Sequence, residues 1–309
     1  VDRRSCNSSR GASGTDEEGC RGFADCETSS VLRVNPCYIC HMPDSDLLKT
    51  LLNHIRTVLP SARKPLVLGI CGAQGSGKTT LVAALATALE AEGIAVATLS
   101  LDDLYLRRAE RQVLARAVHP LFATRGVPGT HDIALGLETR AALERGEAVP
   151  LPRFDKGNDE RAPIESWPSA PEGTRVLLLE GWCLGARPQE PESLAQPVNA
   201  LEADEDPKGL WRAHANAALA GPYQALFARI DSLVLLAAPD WEVVAKWREQ
   251  QEAELRATGA TRAMDPAAVE RFIQHYERLT RWILEEMPVR ADLVVRLDEN
   301  REVLGLSPP

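Results

Sequence analysis

Residues Gly72-Ala73-Gln74-Gly75-Ser76-Gly77-Lys78-Thr79, followed by Thr80, match the phosphate-binding pattern G-x-x-x-x-G-K-[ST] without a mismatch. Polyphosphate is the ligand these residue types suit. Glycines let successive backbone N–H groups converge on an anion. A helix that starts at the lysine adds its unpaired N–H groups and the positive end of its dipole. The lysine reaches the β- and γ-phosphates as a point charge, and the next hydroxyl ligates Mg²⁺. Gly72 through Thr80 are therefore the expected nucleotide-binding residues, with Lys78 neutralising charge during transfer and Thr79 on the metal.

Phosphoryl transfer also needs a base near the accepting hydroxyl, a carboxylate on the metal side and cations around the transferring group. Asp102-Asp103 and Glu180 each end an apolar run. Side chains alternate along a strand, so only one aspartate should face the γ-phosphate. Asp102 is taken as the base, with Asp103 left to a helix cap or a supporting contact. Glu180 is expected beside the metal. Asp132 reads as a helix cap, while His131 either binds an acceptor group or is solvated. Arg125 lies in one loop, and Arg153, Lys156 and Arg161 lie in another, interleaved with Phe154, Asp155 and Asp159. In an acidic chain such clusters are expected to hold an anionic acceptor or phosphate charge. Lys246, Arg248 and Arg256 sit on a charged helix, about 240–258, expected to close as a lid with Arg248 at the nucleotide.

The elements that must position these groups follow from periodicity. The run 66–71 reads as a buried strand, and Leu81, Val82, Leu85 and Leu89 as the inner face of a helix stopped by Gly93. A helix from Asp44 or Ser45 buries Leu47, Leu48, Leu51, Leu52 and Ile55. Further strands are expected at 94–101, 175–179, 232–237 and, last, 293–297. Helices are expected at 106–118 (arginine-rich, near the surface), 132–145, 209–229, 240–257 and through Met287. Residues 147–174 form a long functional loop, and the Pro- and Glu-rich insertion 187–207 is expected to be mobile surface. This alternation implies an α/β, three-layer fold, a mostly parallel sheet with helices on both faces, with ligands at the carboxyl ends of the strands.

Composition excludes other classes. A net charge of −9 over 309 residues argues against a nucleic-acid partner. No apolar run approaches the ~20 residues needed to cross a bilayer, and the start lacks a signal peptide's apolar core, so a cytoplasmic protein without a membrane partner is expected. The oligomeric state stays open, a monomer being compatible. Five of the seven cysteines fall within residues 1–40, and Cys37-Tyr38-Ile39-Cys40-His41 matches the C-x-x-C-H haem-attachment spacing. With no periodicity and no methionine before Met42, residues 1–41 are read instead as a disordered extension upstream of the true start. The spacing is then chance, against a haem or zinc site. Residues 42–309 are the expected catalytic domain.

Taken together, these residues resemble the phosphoribulokinase, uridine kinase and pantothenate kinase group of P-loop kinases. Ser100-Leu101-Asp102-Asp103-Leu104-Tyr105 is similar to the group's second-strand motif, in which the residue matching Asp102 is the base. Leu151-Pro152-Arg153-Phe154-Asp155 resembles its Pro-x-Tyr-Asp segment, with Phe154 replacing tyrosine, and Leu179-Glu180-Gly181 its third acidic motif. Within the group the chain most resembles the plant-type D-glycerate 3-kinases, through the phosphate loop, Asp102 to Leu106, Arg125-Gly126 leading to Thr130-His131-Asp132, Pro152 to Lys156, Glu180-Gly181-Trp182, and Trp247-Arg248 with Gln251-Glu252. The resemblance spans about residues 66–297, with Leu104 standing where an aromatic is expected and the insertion after Leu184 differing. It implies ATP- and Mg²⁺-dependent phosphorylation of a small hydroxy acid, glycerate to 3-phosphoglycerate. Asp102, Lys78 and Glu180 would be the catalytic groups, and Asp103, Tyr105, Arg125, His131, Arg153, Asp155, Lys156 and Arg161 would surround the acceptor. A kinase of a nucleoside, pantothenate or sugar phosphate is the alternative. An NTP-driven switch is a further one, but neither Asn-Lys-x-Asp nor Leu-Ser-Gly-Gly occurs.

Overall fold

Asp44 starts the first helix, α1 (Ser45–Val58), by accepting from the Asp46 amide at 2.8 Å, and Leu47, Leu51, Leu52 and Ile55 fall on its buried face. The computed structural model describes residues 44–62, 65–257 and 264–307, all within the unit Ile39–Pro309. The expectations for residues 1–41, including the Cys37–His41 spacing, lie outside the described residues.

After α1 come β1 (Leu66–Gly72), the phosphate loop, α2 (Lys78–Ala91) and β2 (Val96–Ser100), then a 3-10 turn, Leu101–Leu104. Next are α3 (Arg108–Ala117), α4 (Ile133–Glu144), a hairpin of β3 (Phe154–Asp155) with β4 (Glu160–Arg161), and β5 (Val176–Gly181). The chain continues with α5 (Ala200–Glu205), α6 (Leu210–Ala218), α7 (Gln224–Phe227), β6 (Ser232–Ala237), α8 (Trp241–Ala257), α9 (Pro266–Glu286), β7 (Leu293–Leu297) and β8 (Val303–Ser307).

The main sheet runs β2-β5-β1-β6-β7-β8, parallel throughout except for β8 against β7. Every residue of β1 and β5 is buried, which requires cover on both faces of the sheet. Each fully buried leucine in such strands contributes roughly 1.5–3 kcal/mol. In register, Ile70 lies beside Glu180 and Glu180 beside Ser100. The phosphate loop, Glu180 and the turn after β2 therefore open on one edge.

Four expectations change. Asp102 and Asp103 lie in the 3-10 turn, not on a strand, because the Ser100 hydroxyl caps that turn through the Asp102 amide at 3.2 Å. The helix expected over 209–229 breaks at Gly221-Pro222 into α6 and α7. A strand beyond 293–297, β8, closes the sheet antiparallel. The insertion packs against α9 rather than lying as open surface. Glu202 on α5 is fully buried and paired with Arg278 of α9 at 2.6 Å, while Asn199 donates to the Gln274 carbonyl. Leu201 joins Leu121, Phe122, Val127 and Trp211 in a small second core. Among the described residues no helix is long and apolar enough to cross a membrane.

Candidate active site

The phosphate loop leaves β1 and enters α2 through Gly75 and Gly77, both left-handed with φ of 79° and 87°. A β-carbon on Gly75 would come within 2.8 Å of Trp247 Cβ on α8, so glycine is imposed there by conformation and by space. Lys78 Nζ donates to the Ala73 carbonyl at 3.0 Å. The Thr79 hydroxyl donates to Glu180 Oε1 at 3.3 Å, and Glu180 is 8 % exposed. Within the loop, Gln74 Oε1 and Ser76 Oγ are buried with no hydrogen-bond partner among the described residues. Convergent amides beside unmet polar atoms fit a polyphosphate. A hydroxyl beside a buried carboxylate is the oxygen donor set Mg²⁺ takes when nucleotide and water complete the shell.

Asp102 and Asp103 are neighbours with opposite electrostatics. Tyr105 donates to Asp102 Oδ1 at 2.7 Å and Lys156 Nζ to Oδ2 at 2.6 Å. Burial alone would raise the Asp102 carboxyl, but the Lys156 charge and these hydrogen bonds hold it well below the usual carboxylate range. Lys156 is raised in turn, chiefly by Asp102 and also by Glu180 and Asp103, which links it to the phosphate edge. Asp103 accepts from the Phe154 amide at 3.1 Å and from Arg153 at 3.4 Å. Burial nevertheless pushes its carboxyl up to about 6, against the pull of Arg153.

His131 is 5 % exposed and stacks on Tyr105 with ring centroids 4.7 Å apart. Its Nδ1 lies 2.6 Å from the Tyr223 hydroxyl, which accepts from the Gly129 amide at 2.9 Å. The Tyr223 proton is then available to Nδ1, the arrangement in which the imidazole proton sits on Nε2. That Nε2 is buried without a partner among the described residues. Burial pushes the ring down to about 4, so it is neutral.

Arg125 lies 6.0 Å from the Tyr105 ring centroid and 5.6 Å from that of Phe154, and pairs with Asp159. Asp159, in a left-handed conformation at φ 55°, also takes Arg111 at 2.7 Å. Arg111 is 1 % exposed, which corrects the surface placement of residues 106–118 at this position. Some predicted acceptor groups have structural partners. Arg161 binds Asp132 at 2.9 Å and the Tyr105 carbonyl, and Asp132 also caps α4 through the Leu135 amide. Asp155 accepts from the Asn158 amide and side chain, which shapes the hairpin turn. Arg248 pairs with Glu252 and Gln251 and lies 5.3 Å from the Phe272 ring centroid. Its helix is anchored by buried Trp241, Val243, Val244 and Trp247.

Three residues outside the predicted set support this site. Trp182 Nε1 donates to the Gly126 carbonyl at 2.8 Å, the Tyr276 hydroxyl donates to the Arg125 carbonyl at 3.1 Å, and Tyr223 holds His131. Gly126 has φ 129°, and a β-carbon there would lie 2.0 Å from the Tyr276 hydroxyl. Tyrosine scarcity was the available signal. Of four in the chain, Tyr105, Tyr223 and Tyr276 all end here.

A family model described as Methylmalonyl Co-A mutase-associated GTPase MeaB matches residues 42–105, the nucleotide-binding part that stops before Arg125. The Uncharacterized kinase mug58 of Schizosaccharomyces pombe is 37% identical over 223 residues, covering 69% of this chain and 79% of that protein. The D-glycerate 3-kinase, chloroplastic, of Arabidopsis thaliana is 32% identical over 255 residues, covering 77% of this chain. The chain spans only 53% of that longer relative. Among solved structures, D-glycerate 3-kinase from Cryptococcus neoformans var. grubii shares the fold, with a TM-score of 0.73 at 24% identity over 86% of this chain and 100% of that one.

Proposed function

The chain belongs to the family of P-loop kinases that includes mug58, and from that premise we propose that it transfers the γ-phosphate of ATP to a hydroxyl of D-glycerate, giving 3-phosphoglycerate. The observation that carries the reading is the placement of Lys156. Its ammonium pairs with Asp102 and also feels Glu180, so one cation joins a held carboxylate to the phosphate edge.

The amides of Gly72 to Thr80 and the Lys78 ammonium bind the triphosphate. Thr79 and Glu180 would hold Mg²⁺, which would supply charge neutralisation to the triphosphate. Asp102 orients the acceptor hydroxyl and takes its proton as the new O–P bond forms. A weakly basic carboxylate suffices for this, because phosphoryl transfer demands positioning more than early deprotonation. Lys156, Arg125 and Arg153 attract the acceptor carboxylate, and neutral His131 donates to it from Nε2. Asp103, Tyr105, Asp155 and Arg161 hold these groups in place. Arg248 would serve the nucleotide only indirectly, by tying down the helix whose Trp247 abuts Gly75.

The choice of glycerate is supported by the names of the Arabidopsis and Cryptococcus proteins. The MeaB-like stretch includes Asp102 and Tyr105 but lacks every acceptor-side cation, and so supports nucleotide binding alone. The test is ADP release, coupled to NADH oxidation, with D-glycerate, uridine, pantothenate or no acceptor. Release is expected with D-glycerate, with 3-phosphoglycerate identified by mass spectrometry and NMR. Equal release without acceptor, or a preference for uridine or pantothenate, overturns the proposal.

A further inference from the structure

Arg301, in the turn between β7 and β8, is held in the left-handed region at φ 70°. Glycine or asparagine adopts that conformation at less cost. The turn itself is closed by bonds that do not involve the arginine side chain. The Arg301 amide donates to the Asp298 carbonyl, and the Asp298 carboxylate accepts from the Asn300 and Glu302 amides. A strained residue in a turn that closes without its side chain directs attention to what the side chain touches.

It touches the phosphate loop. Nε donates to the Gly75 carbonyl at 2.6 Å, another guanidinium nitrogen donates to Gln250 at 3.0 Å, and the group lies 5.1 Å from the Trp247 ring centroid. Trp247 itself donates to the Glu299 carbonyl at 2.6 Å and abuts Gly75. A peptide's C=O and N–H point in opposite directions. Anchoring the Gly75 carbonyl outward therefore turns the Ser76 N–H toward the inside of the loop, where it reaches the Ala73 carbonyl at 3.3 Å.

We infer that Arg301 is a positioning residue for nucleotide binding, which fixes the peptide between Gly75 and Ser76 from outside the loop and ties it to α8. The strain at Arg301 is the cost of delivering a guanidinium from the far edge of the sheet. This rests on the reading of the loop as the nucleotide site, and the experiment separates the two.

The unchanged chain, Arg301→Gly and Arg301→Lys are compared by calorimetric titration with Mg-ADP, by thermal unfolding, and by the KM for D-glycerate. Arg301→Gly relieves the backbone and removes the clamp. Its Tm should be unchanged or higher while ADP binds about tenfold more weakly, the order expected for one charge-assisted hydrogen bond, and the glycerate KM stays within about twofold. Arg301→Lys, which keeps a donor but not the flat stack on Trp247, should recover part of the loss. ADP affinity within about twofold of the unchanged chain in Arg301→Gly overturns the inference. So does a parallel rise in glycerate KM, which would mean general loosening. Failure of the unchanged chain to bind ADP overturns the kinase reading itself, and the inference with it.

Discussion

Lys156 Nζ donates to Asp102 Oδ2 at 2.6 Å, while Tyr105 occupies the other carboxylate oxygen at 2.7 Å. The carboxylate is thereby ionised and aimed, although burial acts to protonate it. If Asp102 takes the acceptor proton, Asp102→Asn keeps the shape and removes the basic oxygen. The expected result is a fall in kcat of about 10²–10⁴, with ADP affinity by calorimetry nearly unchanged.

Removing the cation acts on the same carboxylate from the other side. In Lys156→Gln the burial that raises Asp102 is no longer opposed by its main partner. The acid limb of kcat/KM should move to higher pH, and the KM for glycerate should rise at least tenfold with KM for ATP less affected. A pH–rate series on the variant checks both.

Stability should fall on mild acidification. His131 and His275 are buried, and their pKa values are pushed down to about 4 from an ordinary 6.5. Below 6.5 the unfolded chain takes up protons that the native state refuses, so their contribution is full above that pH and is lost as pH falls toward 4. The slope is at most roughly 1.4 kcal/mol per pH unit for each histidine. Asp103 opposes them. Its folded carboxyl is raised to about 6, so its contribution is present at low pH and lost as pH rises through that value. His275→Gln should flatten the dependence of Tm on pH between 4 and 6.5. An unchanged slope would remove His275 from the account.

The buried pair between Arg278 and Glu202 gives a stability test outside the site. Their side chains are 10% and 1% exposed. Arg278→Ala strands a buried carboxylate and should destabilise by about 3–5 kcal/mol, measured by urea unfolding. Replacing both partners, Arg278→Met with Glu202→Leu, should cost much less.

The phosphate loop was legible because its signal is contiguous: a buried strand, an ordered run of glycines, and a helix with Lys78 at its first position. Asp102 was legible as an acid at a strand end, but the turn it occupies depends on Ser100 acting as a cap. Other supports were hidden by distance along the chain. Tyr223 meets His131 across 92 positions, and Tyr276 meets Arg125 across 151. A periodic reading gave Tyr276 to the apolar face of a helix, which is also true of it. The insertion misled through composition. Its proline and glutamate content pointed to solvent, whereas Glu202 is neutralised by an arginine 76 positions away. β8 escaped notice because none of its residues is fully buried.

The small core shared by Leu201, Phe122, Val127 and Trp211 lies just behind the segment that carries Arg125 and Gly126. A change of side-chain volume in the insertion is therefore one packed layer from the cation that faces Tyr105. Substitutions at residues 199–205 should thus tune acceptor preference through this packing while leaving the phosphate loop untouched.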